Sequence, residues 1–490
     1  MRQSGILMHI TSLPGPYGVG TMGAHAFGFV DFLAEAGQHC WQILPLNPTG
    51  FGDSPYQSCS TFAGNPYLID LELLVEAGLL QREELESVRW CSREDKVDYG
   101  LLYNNRMAVL RKAYLRHGDT EDFARFRAEN DAWLPDFVAY MGLKDRFGGK
   151  PWYQWPEDVK YYSPKALEAA WEYLGYEGIQ VYCFVQYLFF KQWNDLRSYA
   201  HQKDIRIIGD VPIYVPYDSV EVWKDPRMFQ MNEDLEPKVV AGCPPDAFTA
   251  DGQLWGNPIY DWDAMKTDGF TWWIRRLDAA GKLYDVVRLD HFRGLESYWA
   301  IPYGDTTARN GAWVKGPAED FVRAVKTKLP ELNMIAEDLG YLTQEVLDLR
   351  DFSGYPGMKV LQFGFDPREP ADYLPHTYIR NSVCYTGTHD NLTMRQWFET
   401  ADEEMLAFTR DYMDLGQDEN FVWATIRMAF ASVSDLAVIP MQDILDLGGE
   451  ARMNFPGTLS DSNWTWRMKD GIISPVLAQK LHHITKLYGR

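Results

Sequence analysis

A (β/α)₈ barrel with large, mainly helical insertions in its loops is the fold class this sequence predicts, and three observations lead to it. Eight short apolar runs bounded by turn residues read as strands, and several are unbroken, as strands buried on both faces require. Helical periodicity falls between these runs, which is the alternation of an α/β fold. No repeat, low-complexity tract or Gly/Ser linker divides the 490 residues, so a single elaborated barrel domain over 1–490 is expected.

In chain order the strand runs are 5–13 (GILMHITSL), 41–46 (WQILPL), 205–215 (IRIIGDVPIYV) and 286–290 (VVRLD), then 333–337 (NMIAE), 358–365 (MKVLQFGF), 383–388 (VCYTGT) and 436–441 (LAVIPM). The clearest helix is 25–36, with Phe29, Phe32, Leu33 and Ala36 on one face and Gly37 as its stop. The stretches 319–329 and 403–415 read the same way. The spacing is uneven: insertions are expected at about 72–200, after the second strand, and about 216–283, after the third. Pattern alone also admits a doubly wound sheet.

Composition narrows the partners. With 47 Lys and Arg against 69 Asp and Glu the net charge is −22, a surface that repels phosphate backbones and anionic membranes and suits a neutral ligand. Aromatic residues reach 14%, including 18 Trp and 28 Tyr. Either a ring-lined cleft or an aromatic-rich core accounts for that excess. The six cysteines include no C-x-x-C pair and read as reduced thiols. With neither a signal-peptide pattern nor an apolar run long enough to span a bilayer, a soluble cytoplasmic protein is expected.

The sequence Gly18-Val-Gly20-Thr-Met-Gly23 follows a strand and precedes a helix, as a dinucleotide site requires. The second strand ends Pro45-Leu46-Asn47-Pro48, however, without the acid that would hold a ribose. The glycines are therefore read as turn residues. There is no H-E-x-x-H, zinc-spaced Cys/His set, P-loop or G-x-S-x-G elbow, and no metal or organic cofactor is expected.

Three of the strand runs lead into a carboxylate: Asp290 (RLDHFRG), Glu337 (IAEDLG) and Asp390 (TGTHDN). The C-terminal ends of barrel strands ring one mouth, so three acids far apart in sequence converge there. Capping of the next helix is the competing role for each. Together they suit glycosidic bond cleavage, in which one carboxyl protonates the leaving oxygen and another attacks the anomeric carbon. Arg288 shares a strand face with Asp290 and is expected to lower its pKa, marking it as the nucleophile. Glu337, with Asp338 beside it and no adjacent cation, is expected to keep its proton. Asp390 with His389 can hold hydroxyls and stabilise positive charge on the ring.

These residues lie within a longer series: SLPGPYGVG, WQILPLNPTGFGDSPYQSCSTFAGNPYLIDL, IIGDVPIYV, AGCPPDAFTADGQLWGNPIY, RLDHFRGLESYW, AEDLG, THDN and RMNFPGT. In this order, over nearly the whole chain, they resemble the amylomaltases, the 4-α-glucanotransferases of glycoside hydrolase family 77, relatives of the α-amylase clan. The resemblance implies Asp290 as nucleophile, Glu337 as general acid/base and Asp390 as transition-state stabiliser. It further implies that Arg288, His389, Asp210 and Tyr56 hold the glucose at the cleavage point. Asp246, Phe248 and Trp255 fall on the loop, 241–256, that in the family covers the acceptor side, with Gly242 and Gly252 as flexible points. Maltooligosaccharides and α-1,4-glucans are the implied substrates, cut by a retaining double displacement with carboxyls about 5–5.5 Å apart. Two readings stay open beside transfer: an amylase-type hydrolase, and a glucan-binding protein without turnover. Monomer and homodimer are both compatible with the sequence.

Overall fold

The computed structural model describes residues 2–245, 250–340, 342–416 and 419–490. The expected Asp246 and Phe248 lie outside the described residues. Eight parallel strands close into a barrel: β1 (Gln3–Leu7), β2 (Cys40–Gln42), β3 (Arg206–Val211), β4 (Val286–Leu289), β5 (Met334–Ala336), β6 (Gly357–Val360), β7 (Ser382–Tyr385) and β8 (Leu436–Pro440). Each pairs with its sequence neighbours, and β8 returns to β1. Each predicted apolar run contains or overlaps one strand. Some runs extend past the ladder because the chain stays buried after pairing ends, as at Met8, Ile10 and Leu13. In β3 the ladder stops at Pro212, which has no N–H to donate.

Helix Ala24–Glu35 buries Phe29, Phe32 and Leu33, and Phe29 packs on Trp41 of β2 at 5.1 Å between ring centroids. Burying each such side chain contributes about 1.5–3 kcal/mol. Gly37, with φ +70°, ends the helix: its N–H donates to Ala34 O and that of Gln38 to Leu33 O, satisfying two terminal carbonyls. Helix Ala318–Lys328 and helix Glu403–Tyr412 also occur where periodicity predicts them. The second ends earlier than expected, at Tyr412.

Between β2 and β3 the chain is helical, with helices Tyr99–His117, Glu121–Glu129, Leu134–Arg146 and the long Pro164–Gln202, which is broken at Gly175. Two glutamines of the long helix clamp the loop leaving β2. Gln186 both donates to and accepts from the main chain of Gly64, and Gln192 does the same at Asp70. All four bonds are buried, so each amide satisfies a loop peptide that would otherwise lack a partner.

A second sheet was not foreseen. Strands Gln253–Pro258, Val239–Cys243, Ser297–Pro302 and Ala312–Lys315 pair antiparallel in that order, drawing on the connections after β3 and after β4. Its edge strand Ala312–Lys315 is exposed throughout, so no burial pattern announces it. The aromatic excess is largely core: Trp41, Trp152, Trp193, Trp223 and Trp273 are fully buried. Among the described residues no helix is long and apolar enough to cross a membrane.

Candidate active site

Strand register builds the site. Asp210 of β3 lies opposite Arg288 of β4, and Leu289 of β4 lies opposite Ala336 of β5. The residues that follow, Asp290 and Glu337, therefore emerge side by side at the C-terminal mouth of the barrel. Main-chain bonds hold that relation, with Asp290 N–H donating to Val211 O and Glu337 N–H to Leu289 O. Asp390 joins them from the turn after β7.

None of the three acids caps a helix. His291 precedes the short turn Phe292–Leu295, and the helix after Asp390 is capped by Thr393, whose hydroxyl accepts from Gln396 N–H. Helix Gln344–Ser353 begins after Thr343, away from Glu337. The competing role weighed for these carboxylates is thereby removed.

Arg288, 4% exposed, is the electrostatic centre. Its Nη1 donates to both oxygens of Asp210, at 2.8 and 2.6 Å, and to Asp290 Oδ1 at 3.0 Å, while Nε faces Met358 Sδ. One guanidinium thus serves two carboxylates, and its charge is shared. That sharing changes the expectation for Asp290: burial raises its pKa well above the usual carboxylate range, Arg288 opposes this, and Asp210, Glu337 and Asp390 add to it. The Arg288 contact is present as read from the sequence, but it does not by itself decide the titration.

Glu337 is also raised, chiefly by burial, but it is not without a cation as read from the sequence: Arg288 is the largest influence opposing the rise. Its two oxygens accept main-chain N–H bonds, from His291 at 2.7 Å and Leu339 at 2.9 Å. His291 reaches this position with φ 53°, a left-handed conformation that costs a non-glycine residue about 1–2 kcal/mol and turns its N–H toward the carboxylate. Asp338 raises Glu337 only as a minor influence. Its carboxylate accepts from Arg350 and from Met358 N–H, so its charge is largely answered elsewhere.

Asp390 accepts from Asn454 Nδ2 at 2.6 Å, and its main-chain carbonyl accepts from Arg452. His389 Nε2 is 3.4 Å from its carboxylate. Burial lowers the His389 pKa, keeping the imidazole neutral at pH 7. The ring of Tyr56 stacks on His389, with centroids 5.2 Å apart, and Trp464 leans on both. Arg452, Asn454 and Trp464 received no role in the sequence reading. The fragment RMNFPGT marked the first two as a motif, but nothing local shows that they reach Asp390, a contact spanning more than sixty positions.

Trp255, from the first strand of the second sheet, meets His291 edge-on at 4.8 Å. Gly242 is not a flexible point: it is paired on both sides, and a Cβ there would meet Gln253 O at 2.1 Å. Gly252 adopts φ +67°, a left-handed conformation that favours glycine, and a Cβ there would meet Cys243 O at 2.5 Å, so it is a closely packed turn residue. The glycines of the dinucleotide-like motif are occupied by the chain itself. Gly18 adopts φ +77°, and a Cβ on Gly20 would meet Ile10 O at 1.9 Å. The Asp70 carboxylate lies against Gly23 at the start of the following helix, where a pyrophosphate would have to bind.

Tyr56 Oη donates to Asp210 Oδ2 at 2.8 Å. Tyr56→Phe is expected to remove a bond to a buried charge, lowering stability by about 1.5–3 kcal/mol with the ring stack retained. Thermal unfolding of the two proteins at pH 7 checks this, and an unchanged midpoint would contradict it.

The comparisons with known proteins bear on what this site belongs to. Residues 8–474 match the family model described as 4-alpha-glucanotransferase. A 4-alpha-glucanotransferase of Clostridium butyricum is 48% identical over 99% of this chain and 100% of its own length, and one of Thermus thermophilus is 47% identical over 100% and 99%. The structure of an amylomaltase from Streptococcus agalactiae in complex with acarbose superposes with a TM-score of 0.96 at 41% identity, covering the whole of both chains. A continuous match of this extent, over a barrel with its carboxylates at the strand ends, makes the chain a member of the 4-alpha-glucanotransferase family.

Proposed function

We propose that this enzyme moves segments of α-1,4-glucan between maltooligosaccharides by a retaining double displacement, with Asp290 as nucleophile, Glu337 as general acid/base and Asp390 as stabiliser of the oxocarbenium-like transition state. The observation that carries the assignment is the asymmetry between Asp290 and Glu337. Both are raised by burial and titrate as one set. Asp290 touches the Arg288 guanidinium directly and is only part-buried, whereas Glu337 is buried, its hydrogen-bond partners are neutral main-chain N–H groups, and Arg288 acts on it without a direct bond. The negative charge therefore belongs on Asp290 and the proton on Glu337. A protonated Glu337 can still accept both main-chain bonds while directing its O–H into the cleft.

In the first step Glu337 protonates the leaving glycosidic oxygen as Asp290 attacks the anomeric carbon, giving a β-glucosyl ester and a released chain. In the second, Glu337 takes the proton of an acceptor 4-hydroxyl, whose oxygen attacks the anomeric carbon and displaces the Asp290 carboxylate, restoring an α-1,4 link and free Asp290. Asp210, Arg288, Tyr56 and His389 hold the sugar at the point of cleavage. Trp255, together with the expected Asp246 and Phe248, contacts the acceptor. Alignment of a bound acceptor can be worth about 7–11 kcal/mol, enough for sugar to compete with water. The relatives are named for transfer, which favours this reading over amylase-type hydrolysis. A cytoplasmic setting fits the buried thiols Cys40, Cys183 and Cys384.

Incubation with maltotriose alone tests the proposal. Glucose and a ladder of longer chains are expected, with total reducing ends constant. Rising reducing ends without longer chains would make the enzyme a hydrolase.

A further inference from the structure

Asp443 is a buried carboxylate that the chemistry above does not use. It lies one turn after β8, in the short helix Met441–Ile444, and is 1% exposed. Its Oδ2 accepts from Thr386 Oγ1 at 2.6 Å, and its Oδ1 accepts from Met394 N–H at 2.8 Å. Thr386 is the first residue past β7, and Met394 is the first residue of the helix Met394–Thr400. The segment between them carries His389 and Asp390. One carboxylate therefore pins both ends of the turn that presents these residues, and among the described residues no cation is bonded to it.

We infer that Asp443 is a positioning residue for Asp390, holding the turn 386–394 in register with the barrel mouth through its bonds to Thr386 and Met394. This rests on the proposed part of Asp390 in transfer.

The energetics indicate that the group is not there for stability. Burial pushes the Asp443 pKa up to about 6, against the lowering effects of its two hydrogen bonds, and Asp446 adds to the rise. A carboxyl whose native pKa exceeds its unfolded value binds more protons when folded, so its contribution to stability declines as pH rises from about 4 to 6. At pH 7 the charged form is a cost. The groups facing it share that environment: His9, His389 and Arg452 line the same cavity, and Arg395 from the adjoining helix pairs with Asp446. His9, buried and pushed down to about 3, stays neutral over the relevant range.

Protonation of Asp443 below about pH 6 removes the charge that strengthens its bonds from Thr386 and Met394, so the turn should loosen on the acid side. The test is the pH profile of kcat for maltotriose disproportionation by the full chain, in the parent, Asp443→Asn and Thr386→Val. In the parent an acid-side inflection near 6 is expected. Asp443→Asn should lose the Asp443 part of that limb and keep the part set by Asp290, so its acid side should be shallower than the parent's, with kcat at pH 7 several-fold lower, KM little changed and a thermal midpoint at pH 7 no lower than the parent's. Thr386→Val removes a bond that favours the carboxylate, so its inflection should move above that of the parent. Profiles of the two variants that superpose on the parent's would overturn the inference. A parent without transfer activity would instead overturn the functional reading on which it rests.

Discussion

Glu337→Gln is expected to lower kcat for transfer from maltotriose by about 10²–10⁴-fold, the range a positioned general acid/base supplies. The amide matches the carboxyl in shape and can still accept one of the two bonds from His291 and Leu339 N–H, so the fold should survive. What it lacks is a transferable proton. The loss should therefore depend on the leaving group. A glucosyl donor whose leaving group departs as a stable anion needs no protonation and should form the glycosyl-enzyme at a rate close to the parent's. The second step would still want a base, and a small anionic nucleophile such as azide needs none. Azide should then restore turnover of the activated donor and yield an α-glucosyl azide, the product of two inversions. Equal losses with natural and activated donors, and no response to azide, would refute Glu337 as the acid/base.

The second large effect is expected at Arg288. Arg288→Leu leaves Asp210, whose side chain is fully buried, and Asp290 without their shared cation. Breaking a buried ion pair by removing one partner typically costs about 3–5 kcal/mol, because the remaining charge is stranded. Thermal unfolding should report this directly. Adding Asp210→Asn should return part of the loss, since an amide is neutral and Tyr56 can still donate to it. Non-additivity in that double-mutant cycle is the signature of the pair. Catalysis should change in a pH-dependent direction. Arg288 is the influence that lowers Asp290, so without it the Asp290 pKa rises further and the ionised nucleophile is lost at higher pH. Activity should therefore fall more at pH 6 than at pH 8. A uniform loss across that range would mean that Arg288 acts only by shape or by contacting sugar.

Much of the architecture was legible in the chain because its determinants are local. Parallel strands buried on both faces leave continuous apolar runs such as IRIIGDV, and amphipathic helices leave a repeating apolar face such as that of Phe29, Phe32 and Leu33. The acids at 290 and 337 and the turn acid at 390 were visible for the same reason, since each ends or follows a short apolar run bounded by turn residues that reads as a strand. The edge strand Ala312–Lys315 was not visible, because pairing with Ser297–Pro302 holds it while its side chains stay in solvent. Nor could sequence show that Arg288 is divided between Asp210 and Asp290. The Arg288–Asp290 proximity follows from strand periodicity, but the competing contact to Asp210 depends on the register of β3 against β4.

Strand–helix alternation in the chain narrowed the fold to an α/β class that still admitted a doubly wound sheet. The family resemblance pointed to the barrel and to the three candidate carboxylates, and the closed strand order showed the barrel. Tertiary structure decided the electrostatics of those carboxylates: how deeply each is buried, which cation is shared, and which distant groups, Asn454 at Asp390 and Asp443 behind its turn, hold them in place. The reason is physical. Hydrophobic periodicity is written in neighbouring residues, whereas a pKa or a hydrogen bond depends on groups that meet only after the strands have closed.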